Sequence, residues 1–522
     1  MRSVTIHLGF VLFFLLFVQT QGEIIQSTKS SFIQNRTNTV ANLTFNPDTA
    51  NVLINRDSSG QVQNEEQIVI NPTDGNNLVA IWRDFRLGYR RVGIGYTLDA
   101  GHTWFDTLLV DPHYPRQSDP ALTVDAEGNF YAIVATFEWE TTDGFGIAFW
   151  KSTDRGQSWS DPILVLDEPT GITEHHTSKI ACDRTGGIFD GYLYVVAARM
   201  WDYGHGEIVV ARSTDGGLSF EPAIQISDQQ VPYNFIPSLT VGPDGTLHVA
   251  WLDGKPSLLI DRSTDEGVTF GSDKTISSLT TSAWTFINGG IAIYPYPTLD
   301  VDITGGPNNG YLYVAYVDHN GTDMDIYFRR STDGGATWSD ELRLNDDPEG
   351  NGCDQFHPWL AVDRNGTVNV VFYDRRNDPS NLLMDVYLTQ SRDGGESFLP
   401  NQRITTVSSD PTAGQFKAGL LGEYIGVTAQ DGWVHPVWTD TRNGNQDVYT
   451  ACVRYVLCGD VNGDEIINSA DVVFLINYLF KGGPPPVLLS VGDVNLDGVV
   501  NSADIVYLIN HLYKDGPPPC EP

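Results

Sequence analysis

An all-β propeller with a small all-α module behind it is the fold class this sequence predicts, on three observations. A short turn motif recurs six times, strand-like alternation leads into every copy, and the pattern changes abruptly to two helical units after Val456. The composition agrees. With 24 Phe, 22 Tyr and 12 Trp beside 51 Gly, the chain reads as short aromatic-rich strands joined by tight turns. Its 66 Asp+Glu against 31 Lys+Arg leave a net charge of −35, which argues against a nucleic-acid partner or an anionic membrane and favours divalent cations.

Residues 1–22 read as a signal peptide: Arg2 gives a positive start, Leu8–Val18 is apolar but too short to span a bilayer, and cleavage is expected near Gly22. No later stretch is long and apolar enough for a membrane span. The expected location is therefore secreted and extracellular, where cysteines can pair. Five cysteines (Cys182, Cys353, Cys452, Cys458 and Cys520) leave one over. A lead-in over 23–50 precedes the propeller, expected over 51–456, and the C-terminal module, expected over 457–522.

The turn motif is Ser/Thr-x-Asp-x-Gly-x-Ser/Thr-Trp/Phe, beginning at Thr97, Ser152, Ser213, Ser263, Ser331 and Ser391. Asp and Ser/Thr side chains can bond the turn amides, Gly supplies positive φ, and the aromatic tucks beneath. A three-strand pattern recurs before each copy and starts near Glu66, Asp119, Ser178, Pro237, Pro297, Pro358 and Glu423, one module more than there are turns. The last module stops without its fourth strand. Asn51–Arg56 resembles the strand that follows a turn and would supply it, closing the ring and removing two sheet edges. Seven four-stranded blades are the expectation; a six-bladed ring with a decorated end is the alternative. The six turns resemble the Asp-box, or BNR, repeat of sialidase-like propellers, over roughly residues 50–455.

In the C-terminal module, two twelve-residue loops each lead into a helix. Oxygen donors fall at loop positions 1, 3, 5 and 12, with a backbone carbonyl at 7, as calcium requires. They are Asp460, Asn462, Asp464, Ile466 and Asp471, then Asp493, Asn495, Asp497, Val499 and Asp504. Gly498 holds the sharp-turn position of the second loop, where the first has Glu465. This duplicated unit resembles a type I dockerin. The resemblance implies two Ca2+ ions and a cohesin-like protein partner, bound through Ser469-Ala470 and Ser502-Ala503. Cys458 and Cys520 bracket the unit as an expected disulfide, with a free pair the alternative.

A closed ring gathers the loops before strand 1 and after strand 2 on the face opposite the repeated turns. Trp82-Arg-Asp84-Phe-Arg86, Tyr373-Asp374-Arg375-Arg376 and Trp438-Thr-Asp440-Thr-Arg442 end strand 2 of modules one, six and seven. Converging there, Arg86, Arg375, Arg376 and Arg442 could clamp a carboxylate; the other reading is that each Asp–Arg pair ties neighbouring loops. The sialidase resemblance implies such an arginine cluster for the sugar acid, a Tyr–Glu nucleophile pair and an Asp acid/base. Tyr424 with Glu423, and Asp119, are the matching positions. The Phe-Arg-Ile-Pro motif that many sialidases carry is absent. Tyr294, Tyr296, Phe356 and Trp201 are candidate sugar-stacking aromatics, or packing residues. Glu174-His175-His176 and Asp354–His357 form only a weak zinc pattern. The expected function is a secreted carbohydrate-active protein, a sialidase-like glycoside hydrolase (exo-acting on O-glycosyl bonds) assembled through its dockerin for glycan catabolism. The alternative is a non-catalytic, monomeric propeller that binds glycan or protein.

Overall fold

The computed structural model describes the chain from Asn51 onward, apart from residues 139–143, 169–173, 203–204, 229–233, 283, 415–420, 455–457, 465, 487–488, 515 and 520–522. The segment read as a signal peptide thus lies outside the described residues. Among the described residues seven antiparallel sheets of four or five strands follow one another along the chain, so the ring has seven blades; an eighth, two-stranded sheet is a hairpin inserted between blades 4 and 5.

Blade 1 is built from Gln63–Asn71, Asp74–Asp84, Arg91–Thr97 and Phe105–Leu109, in that spatial order. Blades 2 to 6 repeat the arrangement, with first strands Arg116–Val124, Glu174–Cys182, Phe235–Val241, Thr298–Val301 and Gln355–Val362. Blade 7 takes Gly426–Gln430, Trp433–Asp440 and Asp447–Thr450 from the end of the propeller and its outer strand, Val52–Leu53, from the beginning. The closing register pairs Val52 with Thr450 and Leu53 with Tyr449. Asn51 adds to the closure: its side-chain amide donates to the Ile404 carbonyl at 3.1 Å, and its Oδ1 accepts from Arg442 at 2.8 Å. Closure ties chain segments some 400 residues apart and leaves no open edge at the seam.

Each blade buries apolar side chains against its neighbours. Where blade 7 meets blade 1, Trp82, Trp104, Ile54, Val437 and Val448 form one cluster. Continuously buried second strands, such as Leu312–Val317 in blade 5, have neighbours on both faces.

The six repeated turns are held by the side chains that define them. In the fifth, the Ser331 hydroxyl donates to Asp333 Oδ1 and accepts from the Gly335 amide, both at 2.8 Å. Asp333 in turn accepts from the Thr337 amide at 2.8 Å and its hydroxyl at 2.6 Å. Gly335 sits at φ +82, and a Cβ there would press on Ile260 at 3.3 Å. Asp333→Ala removes three hydrogen bonds from a solvent-facing turn, so a loss of about 1 kcal/mol is expected, read as a small drop in melting temperature with activity unchanged.

The C-terminal module holds helices α1 (Ser469–Lys481) and α2 (Ser502–Tyr513), each started by a capping box: Asn468 with Asp471, and Asn501 with Asp504. Val461, Val472, Leu475, Val494, Ile505 and Leu508 form its core with Cys458. Cys458 is disulfide-bonded; its expected partner, Cys520, lies outside the described residues. Cys182, Cys353 and Cys452 are free thiols.

Candidate functional site

The first strand of five blades carries a β-bulge near its N-terminal end, between Asn64 and Gln67, Ser118 and Ala121, His176 and Lys179, Phe235 and Ser238, and Phe356 and Trp359. At each bulge one non-glycine residue takes the left-handed conformation: Glu65 (φ 60), Asp119 (φ 50), Thr177 (φ 46), Ile236 (φ 57) and His357 (φ 48). Each such residue costs roughly 1–2 kcal/mol, and a bulge re-aims its side chain. In blades 1 and 2 that strain carries acids toward a third from blade 7. Carboxylate oxygens of Glu65, Asp119 and Glu423 lie within 4.8 Å of one another, and all three residues are buried. Among the described residues no other three acidic, His or Cys ligand atoms gather so closely.

Three basic side chains surround the three acids. Arg83 forms an ion pair with Glu65 and donates to Asn64 Oδ1 at 2.8 Å. Arg90 feels the charges of Glu65, Asp119 and Glu423, although burial and Arg83 hold its guanidinium below the usual arginine value. Lys179 Nζ has no hydrogen-bond partner among the described residues and sits in an aromatic cage, 4.0 Å from the Tyr424 ring centroid and 5.3 Å from those of Tyr296 and Trp359. Burial pulls its ammonium down to about 7, against the opposing pull of Asp119, Glu65 and Glu423. Basic groups this close oppose a bound cation, and with Lys179 and Glu65 both pushed toward neutral pH the triad is better suited to exchanging protons than to holding a cation.

Burial, reinforced by Asp119 and Glu423, outweighs Arg83 and raises the Glu65 carboxyl to about 8. It is therefore protonated near neutral pH. Burial also pushes the Tyr294 hydroxyl well above its ordinary value, and the charges of Glu423, Glu65 and Asp119 add to this. Beyond the cage a channel of about 390 Å³ runs along the inner strands, lined by Lys179, Trp359, Gln67, Ser238 and Thr298 and ending among turn residues such as Pro72 and Asp363.

Of the residues expected from the sequence, Asp119 and Glu423 meet in this cluster. Tyr424 is beside it but serves the packing, since its hydroxyl donates to the Pro120 carbonyl at 3.2 Å and its ring cages Lys179. Tyr294 is the hydroxyl placed near Glu423, and Tyr296 packs edge-on against Tyr424. Phe356 is fully buried in the core and stacks on no accessible face. The side chains of Trp201, Glu174, His175 and His176 lie outside the described residues.

The expected arginine clamp is not assembled. Arg86 grips Asp84 through two nitrogens and reaches Asp106 at 2.7 Å. Arg376 grips Asp374 and bonds Asn401 at 2.8 Å, and Arg442 grips Asp440 and Asn51. Trp82 and Trp438 donate to the aspartates of their own strands, Asp84 and Asp440, at 2.8 and 2.9 Å. The Trp-x-Asp-x-Arg run is thus a local tie between the second strand and outer-strand or loop partners. Arg375 is buried on backbone carbonyls, those of Asn288 (2.9 Å) and Asn381 (3.0 Å). Glu65, Arg83, Arg90 and Lys179 are site residues that the sequence alone does not single out.

Glu66, next to the cluster and fully buried, accepts from the Thr439 hydroxyl, and burial raises its carboxyl to about 8. The unfolded chain loses this proton near 4.5, while the folded protein keeps it to about 8. Stability attributable to Glu66 is therefore present at low pH and lost as pH rises between those values. Glu66→Gln is expected to gain on the wild type by a few kcal/mol from pH 5 to pH 8 in paired thermal melts.

In the C-terminal loops, Asp460 Oδ1 accepts from the amides of Gly463 (2.9 Å) and Asp464 (3.1 Å), and Asp493 accepts from those of Asp497 (3.0 Å) and Gly498 (2.8 Å). Asp471 and Asp504 are fully buried, and burial raises both carboxyls. An all-oxygen donor set that includes a buried acid fits a hard cation, whose charge would offset the burial of the carboxylate.

Residues 458–513 match the dockerin type I domain. The chain is thus a seven-bladed β-propeller carrying a dockerin, a module that in general binds calcium and docks on cohesins. No curated protein sequence matches the chain. Solved structures with a similar fold include an α-L-arabinofuranosidase from Fusarium graminearum (11% identity, TM-score 0.45), with 78% of this chain and 98% of that one covered. An α-L-arabinanase from Penicillium chrysogenum aligns at 13% identity and TM-score 0.45, covering 78% and 99%. A Hadza microbial sialidase aligns at 16% and 0.44, covering 63% and 66%. These are likenesses of fold and say nothing of substrate.

Proposed function

We propose that this protein is an exported glycoside hydrolase whose chemistry is done by the axial carboxylates and whose dockerin, loaded with two calcium ions, docks it on a cohesin. The observation that carries the reading is the meeting of Glu65, Asp119 and Glu423 within 4.8 Å, with Glu65 raised to about 8. Glycoside hydrolysis needs one carboxyl that holds a proton and another that is ionised. In this reading Glu65 donates its proton to the leaving oxygen. Asp119 or Glu423 attacks or stabilises the opposite side of the sugar, while Arg83, Arg90 and Lys179 limit the cost of bringing three acids together. Oxygens this close match the roughly 5–5.5 Å separation of retaining enzymes rather than the about 6.5–9.5 Å of inverting ones. The apolar Leu8–Val18 segment supports export.

The full-length protein incubated with a broad glycan panel tests the reading. Released sugar of retained anomeric configuration is the expected result, and no release on any glycan would overturn it. A second reading, a non-catalytic propeller that binds glycan or protein, draws support from the burial of the triad: Glu65 is 0%, Glu423 5% and Asp119 7% exposed. Binding without release would favour it.

A further inference from the structure

Between blades 4 and 5 the chain inserts a short hairpin, Thr285–Ile287 paired with Ile291–Ile293. It is firmly anchored on blade 6. Its tip residue Asn288 donates to the carbonyls of Ser380 (3.0 Å) and Asn381 (3.1 Å) and accepts from Arg375 at 2.9 Å. His357 bonds the backbone of Ala292. Ser380 and Asn381 follow the second strand of blade 6, and the hairpin leads into Tyr294 and Tyr296, so it lies on the face where the axial acids gather.

Two large aromatics at this anchored element stay in solvent: Trp284, just before its first strand, is 54% and Phe286, within it, 58% exposed. Trp284 also has a left-handed backbone (φ 63), which a bulky residue adopts only when its surroundings impose it. Its ring meets Tyr294 edge-on, with centroids 5.0 Å apart and planes at 67°. Tyr294 in turn borders Glu423. A single buried ring, Tyr294, therefore separates the exposed Trp284 from the acid cluster.

We propose that Trp284 and Phe286 form a sugar-stacking platform that seats a neutral glycan residue next to the axial carboxylates, with Arg375 as the positioning residue for the hairpin. The apolar C–H face of a pyranose or furanose ring complements an aromatic plane, and such stacking orients a ligand without charge. The ring is neutral because the arginines nearer the surface, Arg86, Arg376 and Arg442, are held by their own aspartates, while Arg83 and Lys179 are buried and Arg90 faces the acids themselves. For the class of ligand this inference rests on the hydrolase reading above.

The test uses the full chain and six soluble probes: xylohexaose, cellohexaose, arabinohexaose, mannohexaose, 3′-sialyllactose and trigalacturonic acid. Binding is followed by calorimetry, and hydrolysis by product analysis. At least one neutral probe should bind, and neither acidic one. Trp284→Ala should raise Kd and KM roughly tenfold with kcat within twofold, whereas Trp284→Phe keeps most of the affinity. Phe286→Ala, likewise at an exposed aromatic, gives a second reading where one variant fails to fold. Unchanged Kd and KM in both alanine variants, tighter binding of an acidic probe, or no binding of any neutral probe would each overturn the platform. The two proposals fail separately. Hydrolysis that depends on Glu65 but not on Trp284 removes the platform alone. Trp284-dependent binding with no hydrolysis removes the hydrolase alone.

Discussion

Glu65→Gln is expected to lower kcat on any glycan the protein cleaves by about 10²–10⁴-fold, the range associated with loss of a positioned proton donor. The substitution is nearly isosteric, and the amide oxygen can still accept from Arg83, so the bulge and its left-handed residue should persist. Removing a buried acid that burial disfavours should leave the melting temperature equal or higher at pH 7. That separation distinguishes a chemical role from a structural one: activity falls while stability does not. The pH profile gives a second readout. Glu65 holds its proton to about 8, so wild-type activity should decline as pH rises through that value. The residual activity of Glu65→Gln should lack this basic limb. Asp119→Asn and Glu423→Gln are expected to be as damaging, since each contributes an oxygen to the same cluster. A wild type that cleaves glycans and a Glu65→Gln variant that cleaves them equally fast would sink the assignment.

The ring is legible in the sequence because its stabilising contacts are local. The Ser331, Asp333 and Thr337 bonds close within a few residues, so the motif that specifies the turn is contiguous and repeats visibly. Even the long-range closure can be read, because Val52–Leu53 has the strand pattern that blade 7 lacks. The site is only half legible. Asp119 and Glu423 stand out as acids at strand starts, but in blade 1 the strand pattern points to Glu66 rather than to its neighbour Glu65. The bulge explains this: it inserts a residue and shifts the register, so the axis-facing position in blade 1 is one residue earlier than strand alternation implies. A signal does exist. Pro120, Pro237 and Pro358 stand in innermost strands, where a residue without an amide hydrogen marks a bulge, and the residue before each is left-handed. The same offset applied to blade 1 aligns Glu65 with Asp119.

The arginines mislead for the opposite reason. Asp84–Arg86, Asp374–Arg376 and Asp440–Arg442 lie two residues apart, near enough for each aspartate to accept from both the amide and the guanidinium of its own arginine. A local partner that close takes the charge before any distant ligand can. Lys179, by contrast, has no hydrogen-bond partner among the described residues, and its cage draws on Tyr296, Trp359 and Tyr424 from three other blades. Such convergence leaves no trace in any one stretch of sequence.

Calcium removal is expected to melt the C-terminal module and leave the propeller standing. Each loop packs three aspartates into twelve residues: Asp460, Asp464 and Asp471, then Asp493, Asp497 and Asp504. Without a cation their repulsion falls on a module too small to offset it with core packing, and the buried Asp471 and Asp504 also anchor the starts of α1 and α2 through their capping boxes. EDTA should therefore abolish most of the far-ultraviolet helical signal and the capture of the protein by immobilised cohesin. All 12 tryptophans precede residue 457, so their fluorescence and its thermal transition report on the propeller alone and should not move. The two loops should differ in affinity. Gly498 takes φ +86 without a side chain to resist it, whereas the first loop places Glu465 at that position and must hold a side chain there. Calcium titration should accordingly show a tighter site that Asp504→Ala removes and a weaker one that Asp471→Ala removes. An unchanged helical signal after chelation would count against calcium as the staple of this module and leave the disulfide at Cys458 to hold it.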